Sequence, residues 1–282
     1  MNRSIIETRT GHQHGPVTSF INQSNIKQLN PFVLWDHFET KGLKGTAGFG
    51  FHGHSGIATI TYPTIGDIVH EDTDGNKGKL KAGGVQLMAS GAGVLHKETV
   101  YPERGTTDAF QLWTLLPEDD VEMGAVTYSL AQKSDAPIVV TSYSQTKVLI
   151  GQHEGVVSPA KHSVAITYME VTIKPNGKWQ HAVEKGQTTG FVYVRSGEID
   201  LNGSLLRAKR QGVLNKSDAN IKLTAGEFGA TIMVALGQPL QQAIISSGPS
   251  VHSSIDRLNE GKRNVKRLTQ ALMSIKQKLI YT

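Results

Sequence analysis

From residue 57 to residue 237 the chain repeats one pattern: short runs rich in valine, isoleucine, threonine and aromatics that stop at glycine, asparagine, aspartate or proline. IATITYP (57–63), AFQLWTLLP (109–117), APIVVTSY (136–143), HSVAITYMEVTI (162–173), GFVYVRSGEIDL (190–201) and ATIMVALG (230–237) are the clearest. Runs of this length and make-up are strands. The intervening Asp74-Gly75-Asn76, Asn176-Gly177 and Asn202-Gly203 are hairpin-turn sequences. Antiparallel strands joined by tight turns close into barrels or sandwiches, so the fold class is all-β. A weak internal repeat, TYPTIGDIVHEDTDGN (61–76) against VYVRSGEIDLNGS (192–204), points to two β-units. A chain of 282 residues is long enough for both. Ser134-Asp135-Ala136-Pro137 interrupts the series and marks the boundary.

The end of the chain differs in kind. Leu258, Val265, Leu268, Leu272, Ile275 and Leu279 recur at helical spacing, with Gly261 expected to break the helix near its start. The net charge of +5 also sits here, since residues 256–282 carry seven basic and two acidic side chains and the rest of the chain is neutral. A neutral body offers no field to steer it to phosphate, so nucleic acid is not the expected partner. The tail is expected to dock its apolar face on the body rather than pair with another subunit or bind a membrane or nucleic acid. No run approaches the length of a membrane span, and the first residues lack the apolar stretch of a signal peptide, so a cytoplasmic protein is expected.

The absence of cysteine excludes disulfides, thiolate metal sites and thiol catalysis, leaving His, Asp and Glu as the only metal ligands. Two segments supply them in pairs. Gly48-Phe49-Gly50-Phe51-His52-Gly53-His54 sets two imidazoles at i and i+2, on one face of a strand, and His96-Lys97-Glu98 repeats the spacing. Facing each other across a barrel, they would form a three-histidine, one-carboxylate site suited to Fe(II), Mn(II), Ni(II) or Zn(II). Apart, they are surface or barrel-mouth histidines.

His52-Gly53-His54, Gly66, His70-Glu71-Asp72 and the stretch Gly83–Glu98 closely resemble the pirin family of two-domain cupins. Asn30-Pro31-Phe32, Phe110-Gln111-Leu112-Trp113, Gly237-Gln238-Pro239-Leu240 and Ser247-Gly248-Pro249 match further family segments in order. The resemblance implies two tandem cupin barrels (double-stranded β-helix, or jelly-roll) and a helical tail, expected at 1–135, 136–250 and 251–282. It implies a metal, most often iron, held in the first barrel by His52, His54, His96 and Glu98. Some pirins cleave the flavonol quercetin with dioxygen, and others are iron-dependent partners of transcription factors. The expectation is therefore an Fe(II)-dependent dioxygenase taking a flavonol-like substrate and O2, with Glu98 as the catalytic proton acceptor. The alternative is a metal-dependent, non-catalytic regulator of a protein partner.

The chain departs from the pirin pattern where Gly53 replaces the proline between the histidines, Ser55 the arginine after them and Pro63-Thr64-Ile65-Gly66 the usual LLEG, and from the general cupin pattern where Ala58 replaces a carboxylate. Gly53 is expected to loosen the strand that sets the two rings. In the second half His181 has no ligand at i+2, with Asn220 and Lys222 near where a second pair would fall, so that barrel is expected to be without metal ligands. His12 and His14 are expected in a surface loop, His37 as a hydrogen-bonded histidine lining the barrel, and His70 facing solvent or a polar neighbour. Glu71-Asp72 and Glu118-Asp119-Asp120 are expected in solvated loops. Tyr62, Phe110 and Trp113 are expected to be core or cavity lining.

Overall fold

The computed structural model describes residues 3–280, the side chains of 276–280 excepted; Lys276, Lys278 and Leu279 of the tail thus lie outside the described side chains. The protein is mostly β, with two cupin barrels and, among the described residues, a single helix, Ile255–Ile280. No helix among the described residues is long and apolar enough to cross a membrane.

The two compact units interleave along the chain. One consists of the chain up to Asp36 with Ala131–Leu240, the other of His37–Leu130 with the chain from Gln241 onward. Thus Ile5–Arg9 and the side chains of Phe20 and Trp35 join the second barrel, for two physical reasons. Ile5–Arg9 adds a strand to Arg210–Leu214 and satisfies that edge. Trp35, fully buried, then packs against Phe191 and Tyr193 at ring separations of 5.2 and 4.8 Å, donating its indole N–H to Tyr168 Oη at 3.2 Å. Phe20 completes the cluster on Tyr193 at 5.1 Å. An aromatic cluster of this size outweighs sequence proximity.

In the second barrel the main sheet runs Ile5–Arg9, Arg210–Leu214, Thr189–Leu201, Ile221–Gly237, Ile166–Ile173, Ser144–Ile150 and Ile138–Val140. Its core is aliphatic: Val171, Val192, Val194, Ile199, Ile232 and Val234 are fully buried.

The first barrel is built from two sheets. One orders Ala47–His54, Val94–Tyr101, Asp67–Asp72 and Lys77–Leu80; the other runs Thr127–Ala131, Val85–Ala89, Ile57–Ile65 and Thr107–Leu115 to Phe32–Thr40. Alternation decides what each strand turns inward. Along Val94–Tyr101, Val94, His96, Glu98 and Val100 are buried, while Lys97, Thr99 and Tyr101 are not. Tyr62 and Phe110 belong to the core, at 1% exposure each.

Ser254 opens the helix, its Oγ accepting the backbone N–H of Arg257 at 3.2 Å, as an N-cap does. The helix then runs unbroken through Gly261, contrary to the expected break. It packs on Ala47–His54, Val94–Tyr101, Ile245–Ser247 and Ser250–His252, all within its own unit. Leu258 and Gly261 are buried, Val265, Leu268 and Leu272 half-buried, and Lys262, Arg263, Lys266 and Arg267 face solvent. Ile275, expected in the apolar stripe, is 57% exposed.

Candidate metal centre

Register carries the histidines together. In the pairing of Val94–Tyr101 with Ala47–His54, His96 lies directly opposite His52 and Val94 opposite His54. Cross-strand partners share a face, so the three imidazoles converge. Their ring centroids are 4.3 Å (His52–His96), 4.9 Å (His54–His96) and 4.9 Å (His52–His54) apart. One nitrogen from each lies within 4.8 Å of those of the other two.

A bulge interrupts the same pairing, because two steps from His96 to Glu98 are matched by three from His52 to Phe49. It re-aims His52, whose Nδ1–H donates to Gly50 O at 2.7 Å. Past the bulge Glu98 is opposite Phe49, while on its other side, along Asp67–Asp72, Glu98 is opposite His70 and His96 opposite Asp72. The ligand atoms of His70, His96 and Glu98 accordingly form a second group within 4.8 Å of one another. The structure thus brings His52, His54 and His96 into one cluster, and places Glu98 in an overlapping cluster that shares His96.

His70 therefore faces polar neighbours rather than solvent. It is fully buried, donates Nε2–H to Asp72 Oδ2 at 3.1 Å, and presents Nδ1 to His96 Nδ1 at 3.4 Å and to the Gln86 amide at 3.4 Å. Asp72, expected in a solvated loop, has a fully buried side chain. With Asp72 holding one proton of His70, the other ring nitrogen is an acceptor for His96 Nδ1–H. His54 makes the same choice against a carbonyl, donating Nδ1–H to Pro249 O at 3.2 Å. Nδ1 is thus occupied on all three imidazoles, and Nε2 of His54 and of His96 is buried with no partner among the described residues. Such an atom costs on the order of 1–3 kcal/mol unless a ligand satisfies it. These residues fit a metal.

Burial, with His52 beside it, lowers the His54 pKa to about 3, while the Pro249 carbonyl opposes. Burial, then His54, His52 and His70, lowers that of His96. Both rings are thereby kept neutral, the form that binds metal. Burial pushes Glu98 up to about 7, opposed by the Thr61 hydroxyl, which donates to Oε1 at 3.1 Å. Thr61 and Trp113 come from the facing sheet. Trp113 meets His54 edge-on at 4.7 Å, and its buried indole N–H has no partner.

His37, 3.2 Å from Asp108 and 3.6 Å from Glu39, forms with them a third group of possible ligands, its ring stacked on Phe110. His12 and His14 are exposed, as are Glu118, Asp119 and Asp120. The three ligand groups found among the described residues all lie in the first barrel's unit. In the second barrel, His181 Nδ1 lies 3.0 Å from His153 Nδ1, and both rings stack on Trp179. His153 was not among the sequence candidates: it stands alone in Gly151-Gln152-His153-Glu154, and only the fold brings it to His181. His181 pairs with Ile221, while Lys222 lies across from Gln180. A cavity of about 620 Å³ opens there, lined by His153, Glu154, Lys178, Trp179 and Lys222 among others.

Two β-barrels of cupin fold, one lined by converging imidazoles, define the molecule as a bicupin with a candidate metal centre. Its sequence matches the Pirin model over residues 13–114 and the Pirin C-terminal cupin domain over 168–269. The chain belongs to the pirin family. It is 29% identical to Pirin-1 of Arabidopsis thaliana over 89% of this chain and 88% of that protein. The crystal structure of a quercetin 2,3-dioxygenase from Acinetobacter baumannii superposes with a TM-score of 0.84 at 26% identity, covering 95% of this chain and 98% of that one. A bacterial pirin from Escherichia coli, solved with nickel(II), shares the fold, with a TM-score of 0.62 at 19% identity over 81% of this chain and 95% of that one.

Proposed function

We propose that the first barrel holds one divalent transition metal, Fe(II), through His52, His54, His96 and Glu98, and that the protein is a dioxygenase for a flavonol-like or other enolic substrate. The observation that carries this reading is the pair of buried, unpartnered Nε2 atoms on His54 and His96, in rings whose Nδ1 atoms are already engaged. Three neutral imidazoles and a carboxylate suit Fe(II), with Mn(II), Ni(II) and Zn(II) as alternatives. Its resemblance to the Acinetobacter baumannii quercetin 2,3-dioxygenase supports the substrate class. When bound, the metal supplies Lewis-acid and redox chemistry to an enol and dioxygen.

The protein's own groups hold and move the proton. Glu98, buried and held by the Thr61 hydroxyl, is the carboxylate placed to take the enol proton. Thr61 fixes one carboxylate oxygen, so the acceptor is oriented before substrate arrives. Trp113 offers its unpaired N–H beside His54 as a donor to a substrate oxygen.

The test is oxygen uptake by protein loaded anaerobically with Fe(II) and given quercetin. Turnover is expected, and Glu98→Gln should lower kcat by roughly 10²–10⁴-fold. Full occupancy without oxygen uptake overturns the dioxygenase reading in favour of a metal-dependent regulator that binds a protein partner. Metal retained unchanged in a His52→Ala/His96→Ala double variant overturns the site.

A further inference from the structure

The segment from Pro249 to Val265 meets the strand end that bears His52 and His54 at every step. Pro249 O accepts His54 Nδ1–H at 3.2 Å, Val251 N–H donates to Ser55 O at 3.1 Å, and Ser250 Oγ lies 2.9 Å from Ser55 Oγ. His252 completes the join, with Nε2 at 2.9 Å from Ser55 Oγ and Nδ1–H donating to Glu122 Oε1 at 2.7 Å. Glu122 is held in turn by Ser253 Oγ at 2.7 Å and Arg257 Nη1 at 2.8 Å. Ser55 and Glu122 are fully buried and His252 is 1% exposed.

Serine, histidine and glutamate in this order match an acyl-transfer triad. The helix rules that role out here: a Cβ on Gly261 would overlap Ser55 Oγ and stand 2.7 Å from His252 Nε2, so nothing the size of an acyl group fits over the hydroxyl. One turn on, a Cβ at Gly53 would overlap Val265, and Asn264 Nδ2 donates to Ala92 O at 3.1 Å, beside the strand that carries His96. Gly53 and Ser55, two of the positions where the chain departs from the pirin pattern, are those the helix covers.

We propose that Ser55, Glu122 and His252 are positioning residues for the metal ligand His54, and that the C-terminal segment braces the metal centre from outside. The brace rests on the metal reading above. Pro249 O selects the His54 tautomer that leaves Nε2 free, and the Ser250–Ser55–His252–Glu122 ties hold that carbonyl in place. Outer partners of metal-bound histidines are worth roughly 10–100-fold in affinity. Residues some two hundred positions from His54 thereby set how tightly the first barrel holds its ion.

The experiment titrates the full-length apoprotein with Co(II) against a chromophoric chelator and records the d–d spectrum, alongside thermal melts. Ser55→Ala and His252→Gln are each expected to weaken Co(II) by about 10–100-fold and shift the d–d bands, with the apoprotein still melting cooperatively. Imidazole nitrogen NMR of the apoprotein provides a second measurement: His54 is expected as the Nδ1–H tautomer in the parent and as a mixture in Ser55→Ala. Affinity within twofold of the parent, with bands and tautomer unchanged in both folded variants, overturns the brace while leaving the metal centre standing. Failure of the parent to bind Co(II) overturns both. Labelling of Ser55 by a serine-directed fluorophosphonate overturns the brace by showing an accessible nucleophile.

Discussion

Each imidazole at the centre spends Nδ1 on a fixed acceptor: Gly50 O for His52, Pro249 O for His54 and His70 for His96. A neutral ring has one donor and one acceptor, so fixing the donor fixes the nitrogen left for a metal. The Asp72–His70–His96 relay gives this its sharpest test. His70→Phe keeps a ring against Tyr128, whose stacking on His70 is at 4.8 Å, and removes the acceptor. Co(II) affinity is expected to fall about 10–100-fold with the fold retained, measured by chelator competition. The i, i+2 spacing of His52, His54, His96 and Glu98 was legible in the sequence because side-chain alternation is a local property of a strand. Glu98's meeting with His70 was not, because it follows from the register of a third strand, Asp67–Asp72, against Val94–Tyr101.

At the scale of the element, the helix shows packing overruling propensity. Glycine inside a helix costs about 1 kcal/mol relative to alanine, so propensity alone predicts that Gly261→Ala stabilises. The contact with Ser55 and His252 predicts the reverse, since overpacking costs roughly 1–3 kcal/mol. Gly261→Ala is expected to lower the urea midpoint, and a raised midpoint would show that the helix is not seated as described. The period of leucines and valines announced an amphipathic helix, and its docking followed from the need to bury that stripe. Glycine's role could not be read locally: Gly261 looked like a break and Gly53 like a loosened hinge, yet at both a Cβ would run into a packed side chain, Val265 at Gly53 and Ser55 and His252 at Gly261.

For the molecule as a whole, acid sensitivity should trace to Glu122. Burial raises its pKa, but hydrogen bonds from His252, Ser253 and Arg257 outweigh it and hold the carboxyl down at about 2. A folded pKa below the unfolded one stabilises above the unfolded value, near 4.5, and that contribution is lost as pH falls from there toward 2. Glu122→Gln is therefore expected to cost on the order of 3 kcal/mol at pH 7, by leaving His252 and Arg257 without their carboxylate. It should also flatten the fall in urea midpoint between pH 5 and 3; an acid limb as steep as the parent's would place the sensitivity elsewhere.

The sequence by itself determined the all-β class, the terminal helix, the neutral body with a basic tail, and the ligand types open to a cysteine-free chain. These depend on composition and on periods of two and 3.6 residues, which short stretches carry within themselves. Only the tertiary structure decided that Ile5–Arg9 joins the second barrel's sheet, that the C-terminal segment returns to the first, that His70 stands behind His96, and that His252 stands on Ser55. Each of these depends on which distant surfaces bury one another and on strand register, where a single bulged residue redirects a side chain.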